Sequence, residues 1–258
     1  MNKLSLIFLI PLLSLGQSQL NSFYIGDPLP DAPKLSARGN FKVGVKTIKV
    51  VNPHQIDILS SSKEKTVLYD RSLTLEIWYP ASLENGEKEE VVYDQVMGDF
   101  TVPVRPIIPF KFKGRASRDA ATDSSKGPYP LVIVSHGYPG SRLMLSYLTE
   151  NLASKGYVVV SIDHTDSTFQ DATKIISTFL NRSLDDLFVL NEIARLSSDS
   201  SSFLMGLVNF DNSGLIGYSM GGFGAINIAG GGYSDQAVKL FTAFSNGNNA
   251  LEKRKMGN

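Results

Sequence analysis

The fold is decided by the stretch Leu215-Ile216-Gly217-Tyr218-Ser219-Met220-Gly221-Gly222. These eight residues combine the end of a strand, a sharp turn and the start of a helix. The apolar pair at 215 and 216 indicates a strand, and the small residues that continue to position 229 indicate a helix. Gly217 and Gly221 are expected to leave room for the turn, so that the Ser219 hydroxyl projects above a sheet. The hydroxyl would also lie at a helix N-terminus, where partial positive charge stabilises developing negative charge.

A G-x-S-x-G motif between a strand and a helix is typical of the nucleophile elbow of a serine hydrolase. A serine hydroxyl is a poor nucleophile until a base removes its proton. In this kind of hydrolase the acid and the histidine follow the serine along the chain. Here no histidine follows Ser219, and His54, His136 and His164 all precede it. The sequence therefore predicts a nucleophile at Ser219 and leaves the triad acid and histidine unassigned.

The residues before the elbow alternate between short apolar runs and amphipathic stretches. We predict strands over 131–134 and 157–162 and helices over 142–155 and from 183 onward. Gly156 is expected to cap the first helix, and Ser183 with Asp186 fits a capping box that would begin the second. Strands alternating with helices predict an α/β fold, with a mostly parallel sheet and helices on both faces.

The first half of the chain is less regular. Residues 41–51 and 73–79 alternate in hydrophobicity and are predicted as strands, the second ending at Pro80. Residues 84–128 are polar, interrupted by prolines and partly basic, with phenylalanines at 110 and 112. One interpretation is a patch for a lipid surface or an acyl chain. The other, which we favour, is a solvated excursion before the next strand.

Residues 135–141, Ser-His-Gly-Tyr-Pro-Gly-Ser, directly follow a predicted buried strand. This is the expected place of a loop whose backbone N–H groups stabilise an oxyanion. By position, we expect the donors to be the N–H groups of Tyr138 and Met220. His136 is expected to brace this loop together with Gly137, although a role as general base is the alternative.

His164 ends a predicted strand and has the carboxyl groups of Asp163 and Asp166 nearby in sequence. Active sites gather at strand ends of open α/β sheets, so a metal-binding or catalytic role is one interpretation. We expect a structural hydrogen-bonding role, because these three residues lack a convincing metal-ligand pattern. We predict no metal site in the chain. Asn181-Arg182-Ser183 fits a glycosylation sequon, to which we attach no function.

Composition sets broad limits on function. The chain has 258 residues, of which 42% are hydrophobic and 19% charged, which is enough for one sizeable domain. Its 25 basic residues balance its 25 acidic residues, so nothing predicts a nucleic-acid partner. Because cysteine is absent, disulfides, thiolate metal sites and a lipid-anchored N-terminal cysteine are excluded.

Residues 1–18 are predicted to be a cleaved signal peptide. Lys3 supplies a positive start, an apolar stretch runs from Leu4 to Leu15, and Gly16 and Ser18 provide a small-x-small cleavage site. An uncleaved membrane anchor is the alternative, but the stretch is shorter than the ~20 residues that span a bilayer. The expected location is therefore the periplasm or the medium. We divide the remainder into an extended segment, 19–40, and a hydrolase domain, 41–258.

At these residues the chain resembles the α/β-hydrolase superfamily, and within it platelet-activating-factor acetylhydrolase-like and dienelactone-hydrolase-like secreted proteins. The matching stretches are Gly114-Arg115-Ala116, Arg118-Asp119-Ala120, 128–137, 154–159, Asp163-His164, Asn181-Arg182 with Asp185, and 217–222. The resemblance implies that Ser219 is the nucleophile and that Tyr138 and Met220 supply the oxyanion donors. It also implies further C-terminal strands, carrying the triad acid and histidine, that have no counterpart in this chain.

Together these observations predict a secreted serine hydrolase that cleaves carboxylic esters and needs no cofactor. By resemblance, the substrate is a short-chain ester or the acyl group of a phospholipid, and a transient contact with a membrane surface is expected. Because the domain is predicted to be incomplete, we interpret the chain as a fragment with weak or no activity of its own. The alternative is a non-catalytic hydrolase-fold protein that binds a ligand or a partner.

Overall fold

The computed structural model describes residues 24–27, 33–98, 104–172, 175–248 and 250. The predicted signal peptide and part of the extended segment lie outside these ranges. Within them, no helix is both long and apolar enough to cross a lipid bilayer.

The described chain forms nine strands and four α-helices. The strands are β1 (Lys42–Ile56), β2 (Leu68–Ser82), β3 (Val91–Met97), β4 (Ile108–Gly114), β5 (Ser117–Arg118), β6 (Ala121–Thr122), β7 (Tyr129–Ser135), β8 (Val158–Asp163) and β9 (Val208–Gly217). The helices are α1 (Ser146–Ser154), α2 (Ile175–Ser197), α3 (Met220–Ile226) and α4 (Asp235–Phe244). A short 3-10 turn covers Lys34–Ser36, and a π-helical turn, Asn227–Gly231, continues α3.

One mixed sheet organises the domain, in the order β5-β1-β2-β8-β7-β9, with β6 paired to β2. The strands joined through helices are parallel, since β7 pairs in parallel with both β8 and β9. β2 is antiparallel to both of its neighbours β1 and β8. The predicted α/β class is confirmed, and the antiparallel strands come from the first half of the chain.

Both faces of the sheet are covered. β8 and β9 lie on opposite sides of β7, so right-handed crossovers place α1 and α2 on opposite faces. The side chains of β7 alternate accordingly between two cores. The first core joins Leu131 and Ile133 to Val189 and Ile193 of α2, and the second joins Val132 and Val134 to Ala153 of α1.

β9 stands at the end of the described sheet. It pairs with β7 on one side and with no described strand on the other. Its central residues, 211–214, are exposed. An open edge offers unpaired N–H and C=O groups to another polypeptide.

The interpretation of residues 84–128 as a solvated excursion was wrong for its centre, where β3 and β4 form an antiparallel hairpin. Tyr93 is buried there and hydrogen-bonds to Glu150 of α1 at 2.7 Å. This contact between residues far apart in sequence has no local signal. Four of the basic residues in this region form ion pairs, namely Lys111 with Asp94, Lys113 with Glu90, Arg115 with Asp27 and Arg118 with Glu76.

Two predicted boundaries were also wrong. Ser183 does not begin a helix, because α2 extends from Ile175 and buries Ser183 in its interior. The apolar contacts of Ile176 and Leu180 stabilise the helix upstream of the supposed cap. β2 continues past Pro80 because pairing with β8 has ended at Trp78, so the missing N–H of the proline leaves no ladder bond unmade.

Candidate active site

Ser219 occupies a strained turn between β9 and α3. Its backbone has φ 52° and ψ −113°, in a region that costs a non-glycine residue roughly 1–3 kcal/mol. The residue is exposed, and no side chain in the described part of the protein hydrogen-bonds to its Oγ. Its carbonyl accepts from the N–H of Phe223 at 3.2 Å, which starts the helix. The hydroxyl is thus presented to solvent at the C-terminal edge of the sheet.

The glycines of the motif lie where the chain has no space for a side chain. A β-carbon on Gly217 would overlap the backbone of Gly221, and one on Gly221 would overlap the carbonyl of Ser135. Gly224, one turn into α3, faces α2, where a β-carbon would be 2.6 Å from Cγ of Arg182. The backbone of the elbow and of α3 therefore packs directly against the backbone at the end of β7 and against the Arg182 side chain of α2.

The two motifs meet in space. A β-carbon built on Gly137 would lie 3.4 Å from Cβ of Ser219 and 3.3 Å from the Tyr218 ring. The Tyr218 N–H donates to the carbonyl of Ser135 at 3.0 Å, which holds the start of the 135–141 loop beside the elbow. The loop expected to carry oxyanion donors therefore adjoins the exposed serine.

His136 points away from solvent and into the protein. Its ring is buried, Nδ1 lies 2.6 Å from the carbonyl of Gly137, and Nε2 lies 3.4 Å from the backbone nitrogen of His164. Burial, helped by the Arg182 charge, lowers the pKa of His136 well below its usual range. A neutral ring with Nδ1–H donating and Nε2 accepting satisfies both contacts. Both nitrogens are therefore engaged inside the protein, one with the loop itself and one with the chain that follows β8.

His164 forms the centre of a buried serine–histidine–aspartate chain. Its Nε2 lies 2.9 Å from Ser135 Oγ, and its Nδ1 lies 3.0 Å from Asp185 Oδ2. Ser135 is completely buried, so no substrate reaches its hydroxyl. Burial lowers the pKa of His164 to about 3, which keeps the ring neutral. Both ring nitrogens are occupied, so this geometry does not support His164 as a base for Ser219.

A cluster of charges surrounds this chain. Arg71 of β2 donates to both oxygens of Asp185, at 2.7 and 2.9 Å. Burial alone would raise the pKa of Asp185, but Arg71 and the His164 hydrogen bond lower it to about 2. Asp186 belongs to the same buried cluster, with its Oδ1 3.5 Å from His164 Nε2, and burial raises its pKa to about 8. At neutral pH the Asp185 carboxyl is therefore charged and the Asp186 carboxyl is protonated.

Sequence reasoning missed this cluster as a unit. The only available signal was the spacing of Arg182 and Asp185, three residues apart on one helix face. No pattern pointed to Arg71, which comes from a strand more than one hundred residues earlier. Asn181 of the formal sequon is 1% exposed inside α2, so this geometry does not present it for glycosylation.

His54 completes the histidines of the chain. It is exposed on β1, where its N–H donates to Asp70 at 3.1 Å. β1 is four strands from β9 in the sheet order, which places it roughly 19 Å away across the sheet. None of the three histidines hydrogen-bonds to Ser219.

A cavity of about 550 Å³ lies between the β3–β4 hairpin and the loop that follows Tyr138. Gln95 and Phe110 line it on the hairpin side, and Ser141, Arg142 and Phe169 line it on the opposite side. Arg142 is paired there with Asp163. Across the described ranges, no group of three histidine, aspartate or glutamate side chains is arranged to hold a metal ion.

The parallel strands, the helices on both faces and the strand–turn–helix at Ser219 define an α/β-hydrolase fold. The family described as platelet-activating factor acetylhydrolase, isoform II, matches residues 44–187, more than half of the chain. The chain belongs to this family. The match ends before Ser219, so it includes the 135–141 loop and the buried charge cluster but not the elbow.

Curated relatives include Cutinase 2 of Thermobifida cellulosilytica and Cutinase cut1 of Thermobifida fusca, each 32% identical over 101 residues. Each match covers 39% of this chain, and 34% and 28% of the two cutinases respectively. The chain therefore matches only about a third of the length of these relatives. Among solved structures, the ferulic acid esterase from Streptomyces cinnamoneus has a TM-score of 0.50 at 23% identity. That likeness covers 76% of this chain and 57% of the esterase, and it supports the fold alone.

Proposed function

We propose that the chain carries the nucleophile of a secreted serine hydrolase that cleaves carboxylic esters through an acyl-enzyme on Ser219. The observation that carries the proposal is the strained backbone of Ser219, which holds an exposed hydroxyl between β9 and α3. The adjoining Gly137 loop supports it, because attack on an ester needs donors for the carbonyl oxygen beside the nucleophile. The cutinases, similar over 101 residues, support the same reaction class.

In the proposed mechanism, Ser219 Oγ attacks the ester carbonyl and the alcohol leaves. The N–H groups of Tyr138 and Met220 donate to the carbonyl oxygen as it gains charge, and water then hydrolyses the acyl-enzyme. Met220 is the first residue of α3, so its N–H has no acceptor inside the helix. Neither a metal ion nor an organic cofactor is required by these steps.

The Ser219 proton requires a base, and none of the three histidines is placed to accept it. We propose that the base and its carboxylate belong to polypeptide that pairs with the open edge of β9. In the chain order of α/β-hydrolases, that segment follows the nucleophile. On this proposal, residues 1–258 are the nucleophile-bearing part of a longer enzyme and have little turnover alone.

The intact mass of the protein from its native source tests this part. A mass ~10–14 kDa above that of the chain without its leader supports a longer enzyme, with a histidine in the added C-terminal segment. A mass equal to that of residues 19–258 overturns it. The same sample, sequenced from its N-terminus, tests secretion, because cleavage after Ser18 leaves Gln19 as the first residue.

Hydrolysis of p-nitrophenyl acetate by wild type, Ser219→Ala and Ser213→Ala tests the nucleophile. Ser213 is an exposed serine of β9, the strand that leads into Ser219, and serves as the matched control. We expect Ser213→Ala to retain the wild-type rate and Ser219→Ala to lose the burst of p-nitrophenol that marks acylation of the serine. Removing a triad member in related enzymes leaves a rate of ~10³–10⁴ over water, which comes from the oxyanion hole and binding alone, so a rate at that level without a burst is not turnover by Ser219. An unchanged rate in Ser219→Ala contradicts the proposal and favours a non-catalytic binding protein.

We further propose that the substrate is a short-chain ester or a phospholipid acyl ester, as the family name suggests. Exposed apolar residues at the loop end of the hairpin, Met97 and Ile108, support a transient contact with a lipid surface. Co-sedimentation with phosphatidylcholine vesicles tests that contact. It should fall in a Met97→Ser/Ile108→Ser double variant, and equal binding by both proteins would contradict it.

A further inference from the structure

Arg182 is a buried guanidinium whose donors reach the loop beside Ser219. It belongs to α2 and is 1% exposed. Its Nη1 donates to the carbonyl of His136 at 2.8 Å, and its Nη2 donates to Ser167 Oγ. The same Nη2 lies 3.5 Å from the carbonyl of Gly137. The guanidinium therefore holds the two peptide carbonyls that immediately precede Tyr138.

The stem of the same side chain supports the helix that begins after Ser219. A β-carbon on Gly224 of α3 would lie 2.6 Å from Cγ of Arg182 and 2.8 Å from Oδ2 of Asp186. The glycine therefore allows α3 to rest directly on the aliphatic part of the arginine. One residue of α2 thus contacts both the 135–141 loop and the nucleophile helix.

The partners of Arg182 differ from those of the other buried arginine. Arg71 is neutralised by a two-oxygen contact with Asp185. Arg182 hydrogen-bonds to no carboxylate, and its Nε has no partner among the described residues. Burying a charge costs free energy that an apolar side chain of similar volume would not require. The hydrogen bonds that the planar guanidinium of Arg182 donates to the 135–141 loop account for a charged side chain at this buried position.

We propose that Arg182 is a positioning residue that fixes the 135–141 loop against the nucleophile helix, so that the N–H groups of Tyr138 and Met220 converge on one oxygen. The catalytic part of this inference rests on the proposed function of Ser219. The structural part, that Arg182 fixes the 135–141 loop, does not rest on that function, because it can be measured without turnover.

Two substitutions test the inference. Arg182→Lys keeps the charge but loses the planar fork, and Arg182→Met keeps most of the stem and loses every donor. Arg195→Met is the matched control, because Arg195 is an exposed arginine of the same helix. If Arg182→Met does not fold, Arg182→Lys and Arg182→Gln, which retains an amide donor, replace it.

The first readout is hydrogen exchange of the Gly140 amide, measured by NMR. This N–H donates to the carbonyl of Ser167 at 3.1 Å, next to the hydroxyl that Arg182 binds. We expect at least tenfold faster exchange in Arg182→Lys and Arg182→Met, with unchanged exchange of Val159 and Val160 in β8. Wild-type exchange at Gly140 in a folded variant would overturn the inference.

The second readout is p-nitrophenyl acetate hydrolysis by the same proteins, beside Ser219→Ala. Loss of oxyanion positioning should lower kcat by about 10-fold or more with KM nearly unchanged. A wild-type kcat together with faster Gly140 exchange overturns the catalytic part. A rate that Ser219→Ala does not reduce is a failure of the proposed function, and it is distinguished by that variant from a failure of Arg182.

Discussion

Gly137 and Ser219 lie side by side although more than eighty residues separate them: a β-carbon on the glycine would stand 3.4 Å from that of the serine. The contact arises because β7 and β9 are parallel neighbours and end at the same edge of the sheet. In the proposed mechanism, the oxygen of the attacked ester carbonyl lies beside the Gly137–Tyr138 peptide. The proposed reaction therefore needs the space beside Gly137 to be free for the ester carbonyl.

Gly137→Ala should therefore reduce ester hydrolysis much more than it reduces stability. The added methyl group would contact the Tyr218 ring at 3.3 Å and Cβ of Ser219, which are ordinary to tight distances that the fold can accommodate. We expect kcat for p-nitrophenyl acetate to fall by about 10²-fold, the effect of losing one oxyanion donor. The unfolding midpoint in urea should change little. Full activity in Gly137→Ala would contradict this arrangement.

Gly221→Ala should instead prevent correct folding of the elbow. Its β-carbon would overlap the carbonyl of Ser135, and both groups belong to backbone that cannot rotate away. We expect a loss of about 3 kcal/mol or more in the free energy of unfolding. Gly214→Ala is the control, because nothing lies within 4 Å of a β-carbon there. Equal stability of the two variants, measured by urea denaturation, would be inconsistent with the packing described.

Asp185→Asn should be strongly destabilising. It removes the carboxylate that pairs with Arg71 through two oxygens and accepts from His164, and leaves the buried guanidinium with only the longer contact to Asp166, at 3.3 Å, as a counter-charge. Breaking one side of a buried pair typically costs about 3–5 kcal/mol. Glu192→Gln, which alters the surface pair with Arg195, is the comparison and should have little effect. Urea unfolding curves of Asp185→Asn and Glu192→Gln at pH 7 measure the two effects. Equal stability of the two variants would show that the buried pair of Arg71 and Asp185 is dispensable.

Asp186→Asn should change how stability depends on pH. The folded protein holds a proton on Asp186 up to about pH 8, whereas the ordinary pKa is 3.8. Above pH 4 the unfolded chain releases that proton and the folded chain keeps it, so this group's contribution to stability is lost as pH rises towards 8. Asparagine does not titrate, so the variant should gain stability relative to wild type as pH rises. The gain is limited to about 1.4 kcal/mol per pH unit.

Urea unfolding of wild type and Asp186→Asn at pH 5 and pH 8 measures this difference. The lowered pKa of His164, about 3, acts in the opposite direction below pH 6.5, and its Nε2 lies 3.5 Å from Asp186 Oδ1. A further comparison of the two proteins at pH 7, above that range, separates the two contributions. A difference in stability that is the same at both pH values would show that Asp186 is already ionised in the folded protein.

The open edge of β9 should promote self-association of the isolated chain. Its exposed centre contains one charged residue, Asp211, and offers unpaired backbone groups. Asn212→Lys, on the same exposed stretch, should shift the weight-average mass towards the monomer in sedimentation at matched concentrations. A wild-type chain that is monomeric at every concentration would argue against an available edge.

The elements around the site were predictable from sequence where they depend on local pattern. The apolar run at 131–134, the alternation at 73–79 and the glycine-flanked Ser219 each carry their own signal of strand or turn, because side-chain period and backbone freedom act over a few residues. The hairpin of β3 and β4 was missed, since its buried Tyr93 is covered by residues distant in sequence, Trp78 of β2 and Glu150 of α1. The start of α2 was misplaced because a serine within a helix can resemble a cap.

What the sequence alone determined is therefore the class of fold and the identity of the exposed serine, both encoded in short stretches of neighbouring residues. Tertiary structure decided which polar side chains meet. Arg71 comes from β2, His164 directly follows β8, and Arg182 and Asp185 belong to α2, so their pairing depends on the order in which strands assemble. It also showed that both ring nitrogens of His164 are engaged away from Ser219. Hydrogen bonds act over about 3 Å, and only the folded chain brings residues separated by a hundred positions that close.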